Sequence, residues 1–99
     1  MNNEEAKKLL RVAIQKYRDK TYSELELLVE SDLKLQHSHH EEIKIKNSAQ
    51  YQIQITAIWD DKKKKNIRVI GTIDDGGWRA FIPLTEDFIV NKNGEYIDE

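Results

Sequence analysis

Over the first twenty positions, apolar residues recur at helical spacing. Ala6, Leu9, Leu10, Ala13, Ile14 and Tyr17 stand at i, i+3, i+4, i+7, i+8 and i+11, which gathers them into one stripe on a helix face. Asn2 or Asn3 supplies a cap, and Glu4 and Glu5 fall where the helix dipole favours acid. Lys16, Arg18 and Lys20 crowd the opposite end with the favourable sign. A second, shorter helix follows at once. Thr21-Tyr22-Ser23-Glu24 has the form of a capping box, in which Thr21 and Glu24 each satisfy the other's backbone N–H. Tyr22, Leu25, Leu28 and Val29 then supply an apolar edge, and Ser31-Asp32 a stop.

From Leu33 the period falls to two. Ile43 and Ile45 alternate with Lys44 and Lys46, so His39 to Lys46 reads as a strand with one solvated face, and Asn47-Ser48 as a turn. Next, Tyr51, Ile53, Ile55, Ala57 and Trp59 share one face while Gln50, Gln52, Gln54 and Thr56 share the other. Asp60 to Asn66 is too polar to bury and suits an exposed hairpin tip. Ile67, Val69, Gly71 and Ile73 form a third strand, and Ile70 breaks its polar face, which implies cover on that side. Asp74-Asp75-Gly76-Gly77 is a tight-turn signal, because Asp and Gly tolerate the positive φ of hairpin turns. Trp78 to Leu84 reads as a fourth strand that ends or lies at an edge at Pro83. Thr85 to Val90 stays open between more sheet and a short turn. Asn91 to Gly94 reads as loop, with the last residues frayed.

Two helices followed by an antiparallel meander define an α+β fold and exclude a parallel βαβ arrangement. Burying the first helix's stripe against the meander's apolar face is the simplest closure. With 99 residues the chain makes one domain, 1–99.

Composition narrows the chemistry. Leu, Ile, Val and Phe number 26 of 99, above the roughly 20 % below which chains tend to stay disordered. Absent cysteine excludes disulfides, thiolate catalysis and Cys-ligated metals. A secretory signal or membrane span needs an apolar run that the sequence lacks, so cytoplasm is the expected compartment and no membrane partner is expected. Sixteen basic against 18 acidic residues leave a net charge of −2, with no global pull toward nucleic acid. The balance hides an asymmetry: residues 60–70 carry five basic and two acidic groups, whereas residues 71–99 carry two and seven.

Several stretches carry a family likeness: Ile58-Trp59-Asp60-Asp61, Ile73-Asp74-Asp75-Gly76-Gly77-Trp78-Arg79-Ala80-Phe81, Pro83-Leu84-Thr85 and Asp87-Phe88-Ile89. Across roughly residues 51–90 the chain resembles small uncharacterised bacterial domains grouped with cystatin-like and nuclear-transport-factor-like folds. That resemblance implies that the four-stranded antiparallel meander read from the periodicity is curved and wraps around the first helix, and it implies no activity. Such folds host inhibitors, isomerases, scaffolds and carriers alike. The Asp–His pair of the isomerase-like members is missing, since His37, His39 and His40 sit in one segment, and the cystatin Gln-x-Val-x-Gly loop is missing too.

Four places hold candidate chemistry. His37 and His39 share a strand face at about 7 Å, with Glu41 or Glu42 as a third metal ligand, but the same residues read as a polar strand entrance. Lys62 to Lys65 form a basic finger without interleaved aromatics to stack bases, which fits a solvated turn. Asp74, Asp75 and Arg79 could form an acid/base set, although a turn plus an ion pair from Arg79 to Asp74, Asp60 or Asp61 accounts for them. Tyr17, Tyr51, Trp59, Trp78 and Arg79 could frame a ligand pocket between helix and sheet, or simply fill the core with hydroxyls at its rim. The expectation is a non-enzymatic domain that binds a protein partner or itself through a sheet face or edge, with no cofactor. The alternative is a small-ligand-binding or vestigial enzyme pocket framed by those five residues.

Overall fold

A computed structural model describes residues 3–31, 38–46, 50–63, 65–74 and 84–97. The stripe drawn from spacing is the face that turns inward. On helix α1 (Asn3–Arg18), Ala6, Leu10, Ala13, Ile14 and Tyr17 are all buried, while Val12 on the opposite side is 64 % exposed. A short turn leads to helix α2 (Tyr22–Ser31), held by the Asp19 N–H on the Gln15 carbonyl at 2.9 Å and the Lys20 N–H on the Tyr17 carbonyl at 3.2 Å. The capping box forms: Thr21 N–H donates to Glu24 Oε1 at 2.9 Å and Glu24 N–H donates to Thr21 Oγ1 at 3.2 Å. Leu25 and Val29 are buried, with Tyr22 and Leu28 packed beside them.

The strands are β1 (Ser38–Lys46), β2 (Gln50–Trp59), β3 (Ile67–Asp74), β4 (Leu84–Val90) and β5 (Tyr96–Ile97). They lie side by side in chain order, every neighbouring pair antiparallel, in an open sheet. The expected meander therefore stands, with five strands in place of four. The fourth strand expected at 78–84 lies outside the described residues except for Leu84, and β4 runs instead through 84–90, the segment left open by the sequence. The C-terminus does not fray at 96–97. Asn91 Oδ1 accepts the Asn93 and Glu95 N–H groups at 2.9 and 3.0 Å, and Gly94 takes a φ of 79°, so the chain doubles back and β5 pairs with Ile89 and Val90. The Tyr96 hydroxyl then donates to the Arg18 carbonyl at 3.0 Å, tying β5 to the end of α1.

Both helices cover one face of the sheet, α1 over β2, β3 and β4, and α2 over β1, β2 and β3. Tyr51, Ile53, Ile55 and Ala57 of β2 and Ile67, Val69 and Ile73 of β3 point into this layer and are buried. Gly71 explains how closely α1 can lie. A Cβ there would stand 3.0 Å from Leu10 Cδ1 and 3.4 Å from Ile14 Cδ1, so the missing methyl is the space that the helix occupies. No described helix is long and apolar enough to cross a membrane.

The opposite face carries polar residues and one apolar row. Register places Ile58, Arg68, Ile89 and Ile97 in line across four strands, and Ile89 is buried there, apart from the helix-covered core. Arg68 in that row bonds Asp60 at 2.8 Å and Asp87 at 2.6 Å. Asp60 thus has Arg68 as its partner, and Arg79 lies outside the described residues. The β2–β3 tip closes on Asp61, whose Oδ1 accepts the Lys65 and Asn66 N–H groups at 2.8 and 3.1 Å.

Replacing Gly71 with Ala sets a methyl 3.0 Å from Leu10 Cδ1 and in contact with Ile14 Cδ1, so Leu10 must yield by a few tenths of an ångström within a packed layer. G71A should destabilise by about 1–3 kcal/mol, read as a lower denaturant midpoint at unchanged slope.

Acid should also weaken the fold. Backbone N–H groups hold the Glu24 and Asp61 carboxyls below their ordinary values, Thr21 chiefly for Glu24 and Asn66 then Lys65 for Asp61. A lowered folded pKa gives stability that is complete above the unfolded value and is lost as pH falls through the folded one. Thermal melts taken from neutral pH downward should show a decline in the acid range that flattens in the E24Q/D61N double variant.

Candidate functional site

Alternation along β1 sets two faces. His39, Glu41 and Ile43 share the helix-covered side with Ala57, Ile55 and Ile53 of β2, while His40, Glu42 and Lys44 share the other with Thr56, Gln54 and Gln52. The inner row is therefore polar at one end, and α1 meets it there. Tyr17, in the last turn of α1, is buried, and its hydroxyl donates to Glu41 Oε1 at 2.7 Å. Its oxygen also lies 3.2 Å from His39 Nε2. A phenol has one proton, so the second bond requires His39 to donate from Nε2. Burial first, then the hydrogen bond and charge of Glu41, push the Tyr17 hydroxyl well above the ordinary value of 10.0. It stays a proton donor throughout the neutral range.

The other expected pocket residues spend their polar atoms elsewhere. Tyr51 is buried in the core, and its hydroxyl donates to Glu5 Oε2 at 3.4 Å. Trp59 is half-buried, and its indole N–H donates to Glu30 Oε1 at 2.8 Å. Tyr17, Tyr51 and Trp59 thus each face a different carboxylate, and Trp78 and Arg79 lie outside the described residues. His37 lies outside them too. His39 and His40 occupy opposite faces, His40 Nδ1 lying 3.0 Å from Thr56 Oγ1. Among the described residues no three His, Cys, Asp or Glu gather as a metal would need.

A cleft of about 360 Å³ opens between the α1–α2 turn and the β4–β5 hairpin. None of Tyr17, Tyr51 and Trp59 lines it; Arg18, Lys20, Tyr22, Phe88, Lys92 and Tyr96 do. The Arg18 guanidinium carbon stands 4.7 Å from the Phe88 ring centre and 5.4 Å from that of Tyr96, and the two rings meet edge-on at 5.7 Å. The sequence signal for this cleft was present in Arg18, Lys20 and Tyr22. Its far wall needs β5, a strand of two residues that carries no periodicity.

A third feature is the outer edge of β1. Nine residues end the sheet there, and among the described residues no strand pairs with them. Glu42, Ile43 and Lys44 lie at its middle, Glu42 oriented by the Gln52 and Gln54 amides at 3.3 and 3.4 Å. The other end is less open, because β5 covers Ile89 and Val90 of β4.

No protein-family model, curated protein or solved structure matches this chain.

Removing the Tyr17 hydroxyl leaves Glu41, which is exposed, and His39, which is half-buried, to water. Y17F should therefore cost only about 1 kcal/mol at neutral pH. A raised tyrosine pKa gives stability that is complete below the unfolded value of 10.0 and is lost as pH rises toward the folded one. Urea titrations through the alkaline range should accordingly fall less steeply for Y17F than for the parent chain.

Proposed function

We propose that this chain is a non-enzymatic domain that associates with a second copy of itself through the outer edge of β1, joining two sheets into one. The observation that carries this reading is the charge order along the β1 edge, which no strand covers among the described residues. An antiparallel pairing about a two-fold axis at Ile43 sets Glu42 of each copy opposite Lys44 of the other, with Ile43 against Ile43. The remaining positions, Glu41 against Ile45 and His40 against Lys46, bring no two carboxylates and no two lysines face to face. Opposite charges directly across an antiparallel pair stabilise it and like charges oppose it. A closed two-fold contact of this kind uses each patch once on both partners, so it ends at a dimer.

The part of β4 that no described strand covers argues by contrast. Self-pairing centred on Glu86 or Asp87 sets that carboxylate against its own copy, which disfavours the arrangement. Charges on edge strands also reject indiscriminate partners, and on β1 they leave one register with its charges matched. The paired strands would lie in the plane of the sheet, leaving the helix-covered core unchanged. The lack of cysteine is compatible with a cytoplasmic setting. A basic tip closed on Asp61, with no aromatic residue interleaved among Lys62 to Lys65 in the sequence, gives little support to nucleic acid as the partner.

Sedimentation velocity across a concentration series is the test. The parent chain should show a monomer–dimer equilibrium. Lys44→Glu turns both matched pairs into carboxylate pairs and should weaken the dimer about tenfold. The swap E42K/K44E restores opposite charges and should recover it. A parent chain that stays monomeric at every attainable concentration, or a K44E chain that dimerises as well as the parent, overturns the proposal.

A further inference from the structure

We propose that the cleft between the α1–α2 turn and the β4–β5 hairpin binds a small organic anion, one with a planar ring and a phosphate or carboxylate head. Its charge is the first argument. Arg18, Lys20 and Lys92 line it, and among the described residues none of the lining side chains is acidic, in a chain where 18 of 99 residues are Asp or Glu. Among its described residues, a net-acidic protein has gathered three cations and no carboxylate around this concavity. Glu24 and Glu95 adjoin lining residues in sequence, but each is engaged: Glu24 accepts the Thr21 N–H at 2.9 Å and Glu95 accepts the Asn91 amide at 3.3 Å. Among the described residues neither Lys20 nor Lys92 has a hydrogen-bonded carboxylate partner.

The walls give the second argument. Tyr22 and Tyr96 present aromatic surface from opposite sides, and Leu25, Phe88 and Val90 supply apolar lining. Cations beside aromatic rings suit a ligand that is flat at one end and charged at the other. A volume of about 360 Å³ falls within the range of small-molecule sites.

The third argument is preorganisation. The capping box fixes the α1–α2 side. The Asn91 side chain fixes the hairpin through the Asn93 and Glu95 N–H groups. The Tyr96 hydroxyl on the Arg18 carbonyl at 3.0 Å locks the two sides together, and the Tyr22 hydroxyl is held by the Lys65 carbonyl at 3.0 Å. A ligand would therefore find its walls already placed, and little ordering entropy would oppose binding. The cleft lies on β4 and β5, at the far side of the sheet from β1, so its occupancy is independent of the dimer proposed above.

Titration of the isotope-labelled full chain, followed by amide chemical shifts, tests this with four probes: adenosine monophosphate, benzoate, inorganic phosphate and uncharged adenosine. The monophosphate and benzoate should shift amides of residues 18–25 and 88–96, and both should bind more tightly than phosphate or adenosine alone. Tighter binding of the monophosphate than of benzoate would assign the head as a phosphate, and the reverse as a carboxylate. The double reversal K20E/K92E should weaken binding about tenfold or more. The control K62E/K63E, with the same change in net charge at the hairpin tip, should leave affinity unchanged at fixed ionic strength. Thermal melts of both variants confirm that each is folded. The proposal is overturned by an absence of saturable shifts with any probe, by inorganic phosphate binding as tightly as the ring-bearing anions, or by equal losses in the two double variants.

Discussion

The structure turns on how near α1 can come to the sheet. Leu10 and Ile14 descend on Gly71 of β3, where a methyl would already stand 3.0 Å from Leu10 Cδ1. Closely packed interiors transmit such a constraint, because neighbouring side chains have no spare volume into which to relax. With α1 seated at this height, Tyr17 one turn beyond Ile14 reaches across to Glu41 on β1. The next residue, Arg18, falls over Phe88 on β4. One helix end thus meets both the β1 side and the β4–β5 side of the sheet. A helix displaced outward would lose the Tyr17–Glu41 bond and the Arg18 stack together.

Polar residues follow the same economy. Among the described residues no buried side-chain nitrogen or oxygen lacks a partner, and the inner polar trio meets that condition because each member has another to face. Tyr17 places a hydroxyl where the apolar layer ends, Glu41 accepts its hydrogen bond, and His39 Nε2 donates one in return. A hydroxyl buried without such partners would carry a desolvation cost of about 1–3 kcal/mol. The trio's geometry is fully explained as a rim that lets one large aromatic close the core.

Most of the fold was legible because the two periods are clean. The α1 stripe, the capping box at Thr21 and Glu24, and the alternation through Tyr51 to Ala57 each correspond to an observed buried face or hydrogen bond. The sequence failed at β4 for a physical reason. Phe88 and Val90 enter the helix-covered core while Ile89 is buried on the reverse face, in line with Ile58 and Ile97, so a strand buried on both sides shows no alternation. β5 is two residues long and is held by the Asn91 turn and the Tyr96–Arg18 contact, neither of which is a periodic signal. The cleft was hidden in consequence, since its walls are some seventy positions apart in the chain and one of them is that hairpin. The aromatic residues were visible by type, but type does not say which carboxylate each one meets.

Charge is where the sheet becomes asymmetric. The near-balance of 16 basic and 18 acidic residues is resolved locally into different arrangements on different edges. Along β1, Glu42 and Lys44 stand two positions apart on one face, so the edge is close to neutral and complementary to its own reverse. Along β4, where no described strand pairs beyond Ile89 and Val90, Glu86 and Asp87 are two adjacent carboxylates, Glu86 meeting Arg11 at 3.2 Å and Asp87 meeting Arg68 at 2.6 Å. Beyond that acidic edge the hairpin and helix turn bring Arg18, Lys20 and Lys92 into one concavity. Salt screens exposed charges over about 8–10 Å at moderate ionic strength, so these arrangements act as separate local fields rather than as one dipole. A partner strand at β1 would meet matched pairs, and a small anion at the far edge would meet Arg18, Lys20 and Lys92. The net charge of the molecule describes neither encounter.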